Sequence, residues 1–146
     1  MAVDVLTEVE IDRSRELVAA FAGDPTHAPA WYSRIHSATW QTEPPLRVGA
    51  RMSFVAHFLG RRLTYTYEVV DYVPGERLVM RTAEGPFPME TTYIWADTAA
   101  GGTRMTLRNR GEPSGFGKLA APLLEAAIRR ANRADLTQLK TLLETG

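Results

Sequence analysis

Residues 68–80 read Glu68-Val69-Val70-Asp71-Tyr72-Val73-Pro74-Gly75-Glu76-Arg77-Leu78-Val79-Met80. Pro74-Gly75 suits the two central positions of a type II turn. Proline fixes the first φ, and glycine accepts the positive φ of the second. The flanking residues are β-branched, aromatic and alternating, which favours strands. A tight turn joins antiparallel strands, because a parallel pair needs a long crossover. The stretch therefore predicts a hairpin between strands over 62–73 and 77–84.

The same grammar extends in both directions. Pro44-Pro45 with Gly49, then Gly60, Gly85-Pro86 and Ala99-Ala100-Gly101-Gly102 punctuate runs rich in Val, Thr, Tyr, Phe and Met over 34–42, 50–59, 87–97 and 103–110. Residues 2–11 alternate, with Val3, Val5, Val9 and Ile11 on one face and Asp4, Glu8 and Glu10 on the other. That makes seven strands. Between the first two, Ser14 is placed to cap a short helix carrying Leu17, Val18 and Phe21, and Gly23 ends it. Asp24-Pro25 starts a second short helix that runs into Trp31.

After Gly115 the composition changes. Residues 116–144 contain Leu119, Leu123, Ala127 and Ala131 at four-residue spacing, followed by Leu136, Leu139 and Leu143. This stripe predicts one long helix lying on a core, roughly 43 Å from end to end. Pro122 predicts a bend or break near residues 118–122. The expected architecture is α+β: a seven-stranded curved antiparallel sheet, two short helices after the first strand, and a long C-terminal helix across the concave face. The 146 residues are one domain's worth, so residues 1–146 are expected to form a single domain.

This order resembles the START-like superfamily, also called SRPBCC or Bet v 1-like, with its helix-grip fold. The matching pieces run the whole length: the opening Val-rich strand ending Ile11-Asp12, AFAGDP at 20–25, Trp31 before the second strand and Val48-Gly49 before the third. EVVDYVPGERLVM at 68–80, GGTRMTL at 101–107 and LKTLLE at 139–144 complete it. Within that superfamily the chain is most similar to the bacterial polyketide cyclase/dehydrase or lipid-transport group. The resemblance implies that helix and sheet enclose a cavity for a hydrophobic or amphipathic small molecule.

Alternation assigns side chains to the concave face. Phe54 and Phe58 fall there with Met52 and Ala56; Tyr65 and Tyr67 with Leu63 and Val69; Met80 with Leu78. Met89, Tyr93 and Trp95 join Phe87 and Thr91, and Met105, Leu107 and Asn109 share the last strand. Phe116, Leu119, Leu123 and Ala127 are expected opposite them on the helix. Together with Trp31, these residues are the expected ligand-binding set: Trp31, Phe54, Phe58, Tyr65, Tyr67, Met80, Met89, Tyr93, Trp95, Met105, Leu107, Asn109, Phe116, Leu119, Leu123 and Ala127. For any single one of them an ordinary core role is the better account, because most buried aromatic and Met side chains serve packing. The small helix residues Ala120, Ala121, Ala126, Ala127 and Ala131 either close the gap or leave one.

Other chemistry is sparse. There are no cysteines, which excludes disulfides, thiolate nucleophiles and Cys-ligated metals. His27, His36 and His57 match no local metal motif, so neither a metal site nor a cofactor is expected. Gly111-Glu112-Pro113-Ser114-Gly115 fails as a nucleophile elbow, and Gly115-Phe116-Gly117-Lys118 lacks the glycine spacing of a phosphate loop. Seventeen basic and 17 acidic residues cancel, which argues against nucleic acid and anionic membranes as partners. The basic cluster Arg129-Arg130 and Arg133 then reads as the solvated back of the helix.

Without a signal segment or an apolar run of membrane-spanning length, a cytoplasmic location is expected, as a monomer or homodimer. Three functions stay open: a carrier or sensor of a small hydrophobic molecule, a cofactor-independent cyclase or dehydratase, and a protein-interaction module. An ionisable side chain with a perturbed pKa inside the cavity would favour the second. Glu90, Arg81 and His57 would supply one only if the strand register slipped by a residue.

Overall fold

A computed structural model describes residues 2–116 and 119–146. Seven strands form one antiparallel sheet: β1 (Val3–Ile11), β2 (Ile35–Trp40), β3 (Arg51–Phe58), β4 (Arg61–Val73), β5 (Arg77–Glu84), β6 (Met89–Asp97) and β7 (Thr103–Gly111). Their spatial order is β1-β7-β6-β5-β4-β3-β2, so every sequential pair from β2 to β7 is adjacent and β1 returns to the far edge. The Pro74-Gly75 turn forms as expected. Glu76 donates its N–H to the Val73 carbonyl at 2.9 Å, and Gly75 takes a φ of +77°.

The sheet curls. The register of β4 against β5 shifts between Thr66 and Tyr67 and again between Val69 and Asp71. Such irregularities bend a strand and raise its twist, which lets this 13-residue strand wrap a concave face. The predicted side assignments hold. Met52, Val69, Leu78, Met105 and Leu107 are fully buried, whereas Arg81, Arg104 and His57 point outward. Glu90 also lies on the outer face, bridging Arg81 at 3.0 Å and Arg110 at 2.9 Å. The slipped register is therefore not adopted.

Between β1 and β2 the chain forms α1 (Arg15–Ala22), a 3-10 turn at Pro25–His27, and α2 (Ala28–Trp31). The Ser14 side chain caps α1 by accepting from the Leu17 N–H, and Asp24 caps the next turn by accepting from Thr26. The expected second short helix is thus a 3-10 turn running directly into a single α-turn.

The long helix α3 spans Ala121–Thr145, 25 residues. It begins later than the sequence predicts. Pro122 sits in its first turn, where a missing N–H costs nothing, and so marks the start instead of a kink. Residues 119–120 are non-helical; the expected break at 118 lies outside the described residues.

Helix α3 runs along β1, the sheet edge, and covers its unpaired backbone groups. Glu125 accepts the Asp4 N–H at 2.9 Å, Lys140 donates to the Glu10 carbonyl at 2.7 Å, and Glu144 accepts the Asp12 N–H at 2.8 Å. Edge strands need such cover to avoid pairing with other chains. Among the described residues, no helix is long and apolar enough to cross a membrane.

Candidate ligand cavity

The curled sheet and α3 do not close on each other completely. A half-open cavity of about 180 Å³ remains between them. Its sheet wall carries Phe54, Ala56 and Phe58 from β3, Leu63, Tyr65 and Tyr67 from β4, Met80 and Thr82 from β5, Met89, Thr91 and Tyr93 from β6, and Asn109 from β7. The helix contributes Leu124, Ile128, Ala131, Asn132 and Asp135. Tyr32, Arg34 and Ile35 close one side, and Pro86, Phe87, Pro113 and Phe116 another. The rings touch: Phe54 stacks on Tyr65 at 5.4 Å, and Tyr65 lies 5.0 Å from Tyr67.

Nine of the sixteen expected residues lie on this wall: Phe54, Phe58, Tyr65, Tyr67, Met80, Met89, Tyr93, Asn109 and Phe116. Trp31, Trp95, Met105 and Leu107 are on the expected side of the sheet but in filled core. The short helices cause this. Their Val18, Ala22 and Trp31 pack beneath that end of the sheet and leave no space. Leu119, Leu123 and Ala127 also lie off the wall, and Leu123 is 61% exposed. A strict four-residue repeat drifts about 40° per step on a helix of 3.6 residues per turn. The true inward stripe is Leu124, Ile128, Ala131, Asp135 and Leu139.

Two polar groupings interrupt the apolar wall. In the first, Asn132 Nδ2 donates to Asn109 Oδ1 at 2.7 Å. Asn109 Nδ2 donates to Thr91 Oγ1 at 2.8 Å, and Thr91 meets the Tyr67 hydroxyl at 2.9 Å. This chain ties the helix to the sheet with every member partnered, as buried polar groups require. Burial pushes the Tyr67 hydroxyl up to about 12, with the Thr91 hydrogen bond opposing.

The second grouping was not expected. The Tyr32 and Tyr93 hydroxyls lie 2.6 Å apart. Burial raises both phenols well above their ordinary value, as it does Tyr65. Close by, the Asp135 carboxyl is 3% exposed. Its Oδ1 accepts the backbone N–H and the hydroxyl of Ser33, both at 3.1 Å. Burial raises its pKa, opposed by the two Ser33 hydrogen bonds and by the charge of Arg34.

The histidines take no part. His27 stacks on Phe21 at 4.2 Å, and His36 meets His57 edge-on at 4.3 Å on the outer face. No group of three His, Cys, Asp or Glu side chains among the described residues could hold a metal.

The order of elements and the space between the curled sheet and its C-terminal helix are those the resemblance implies. A family model for polyketide cyclase / dehydrase and lipid transport proteins matches residues 2–144. The chain belongs to that family. Solved structures agree with this polyketide cyclase / dehydrase and lipid transport fold. A START superfamily protein from Mycobacterium smegmatis superposes with a TM-score of 0.84 at 12% identity, covering 97% of each chain. The Zhui aromatase/cyclase from Streptomyces sp. R1128 gives 0.78 at 18% identity, covering 97% of this chain and 93% of that one. Major latex-like protein 151 from Panax ginseng gives 0.68 at 14% identity, covering 94% and 98%. No curated protein matches the sequence.

Proposed function

We propose that this family member binds a hydrophobic or amphipathic small molecule in the cavity between α3 and the sheet. The observation that carries the reading is the space itself: about 180 Å³ of unfilled volume walled by aromatic and Met side chains. Protein interiors normally pack without such voids, and an apolar cavity of roughly 150 Å³ is enough for benzene. The space therefore admits at least one aromatic ring of a ligand. Asp135 and the Tyr32–Tyr93 pair would orient its polar substituent. The test is native mass spectrometry of the protein purified from its own host. A reproducible mass increment lost on denaturation is expected, and a bare mass in every preparation contradicts a tight carrier.

One observation favours a second reading, catalysis on the same scaffold. Asp135 is an ionisable group inside the cavity whose pKa burial raises, as a general base or acid requires. As base it would take a proton from a carbon next to a ligand carbonyl. The bonding pair would move to the carbonyl oxygen, and a neutral phenol of Tyr32 or Tyr93 would donate a hydrogen bond to that oxygen. The name of the Zhui aromatase/cyclase is consistent with such chemistry. Hydrogen–deuterium exchange at C1 of 2-tetralone, followed by NMR, tests it. Acceleration by the protein that disappears in Asp135→Asn supports catalysis, and equal rates with and without protein reject it.

A further inference from the structure

Two arginines at the cavity lie against aromatic rings: Arg34, which lines it, and Arg61, which packs on its lining residues Phe87 and Phe116. Seven arginines pair with carboxylates within 4.0 Å: Arg15, Arg51, Arg77, Arg81, Arg104, Arg108 and Arg110. Arg34 and Arg61 have no carboxylate within that distance among the described residues, and neither do Arg13, Arg47, Arg62, Arg129, Arg130 and Arg133; what sets the first two apart is the aromatic surface they meet. Both are laid on phenylalanine rings instead. The Arg34 guanidinium sits 5.5 Å from the Phe58 centroid. The Arg61 guanidinium sits 5.6 Å from Phe116 and 5.9 Å from Phe87. Phe116 in turn packs 5.8 Å from each of Phe58 and Phe87, so a single aromatic cluster carries both cations.

This arrangement sets both cations against rings without a direct carboxylate partner, although Arg34 also acts on the Asp135 carboxyl through its charge. An arginine has five N–H donors. Arg34 uses one on the Ser33 hydroxyl and Arg61 one on the Ser114 carbonyl. A ring beneath a guanidinium attracts its charge and shields part of it from water, which strengthens attraction for an anion at the open edge. Phe58, Phe87 and Phe116 also line the cavity, as does Arg34, so a ligand whose body fills the bowl would reach Arg34 and the rings that carry Arg61.

We infer that the ligand is an anionic amphiphile, with a carboxylate or phosphate group held by Arg34 and Arg61 and its apolar body against the aromatic wall. This rests on the ligand-binding reading of the cavity and adds the charge and orientation of the ligand. Arginine matches both head groups because its fork of donors fits two acceptor oxygens at once.

Calorimetric titration with three probes sharing one ring system tests it: naphthalene-2-carboxylate, 2-naphthyl phosphate and the neutral naphthalene-2-carboxamide. At least one anion should bind about tenfold or more tightly than the carboxamide, the effect of one or two charge-assisted hydrogen bonds. Which anion gains identifies the head group. Arg34→Gln/Arg61→Gln should weaken the preferred anion about tenfold more than it weakens the carboxamide, which erases the preference. The inference is overturned if wild type binds the carboxamide as tightly as both anions, a comparison that needs no variant, or if the double variant keeps the preference. If no probe binds, the ligand-cavity reading falls and this inference with it.

Discussion

The hydroxyls of Tyr32 and Tyr93 lie 2.6 Å apart, joining the chain just after α2 to strand β6 at the edge of the cavity. Each satisfies the other in a buried setting. Tyr32→Phe or Tyr93→Phe alone leaves one hydroxyl without its partner and should cost about 1–3 kcal/mol. The double variant should cost less than the sum of the two, because it leaves no orphan. Urea unfolding of the three variants checks this, and strict additivity would mean the pair is not coupled.

Asp135 gives a pH signature. Burial raises its carboxyl above the ordinary value of 3.8, so the folded protein holds this proton more tightly than the unfolded chain does. The wild type therefore loses stability as pH rises from the unfolded value through the raised folded value. Asp135→Asn keeps an acceptor for Ser33 but has no proton to lose. Relative to wild type, the variant should gain stability as pH rises from the ordinary carboxyl value through the raised folded value. A difference that stays flat across that window would show that the folded pKa is not raised.

The helix face is tested by neighbours in sequence. Leu124 is 1% exposed and lines the cavity, whereas Leu123 is 61% exposed. Leu124→Ala should destabilise by about 2–4 kcal/mol. Leu123→Ala should stay within about 0.5 kcal/mol. Thermal unfolding of the two variants distinguishes this face from the one expected from the four-residue repeat.

Most of the frame was legible because turns announce themselves. Pro74-Gly75, Gly60 and Gly101-Gly102 bracket the strands, and alternation then assigned Tyr65, Tyr67 and Tyr93 to the inner face. The cavity floor was less legible, because alternation tells which side a residue faces and not what fills the space beside it. Trp31 and Trp95 are on the inner side yet lie in packed core beneath α1 and α2. Asp135 was missed because a charge on an Arg-rich helix reads as solvent-facing. Its signal was present all the same, since it interrupts the inward stripe of Leu124, Ile128, Ala131 and Leu139. Tyr32 and Arg34 flank the short junction between α2 and β2, where no periodicity exists to orient a side chain.

The methionines offer the most direct test of the central claim, that a small molecule occupies the space between α3 and the sheet. Met80 and Met89 line the cavity, whereas Met52 and Met105 are fully buried elsewhere in the core. With the methionine methyls carbon-13 labelled, the protein is titrated with the neutral naphthalene-2-carboxamide and followed by NMR. Saturable shifts and ligand-to-methyl cross-relaxation are expected at Met80 and Met89, with Met52 and Met105 showing no ligand contact. Methyl signals that do not respond, or a response at Met52 and Met105 without Met80 and Met89, would contradict a ligand site in this cavity.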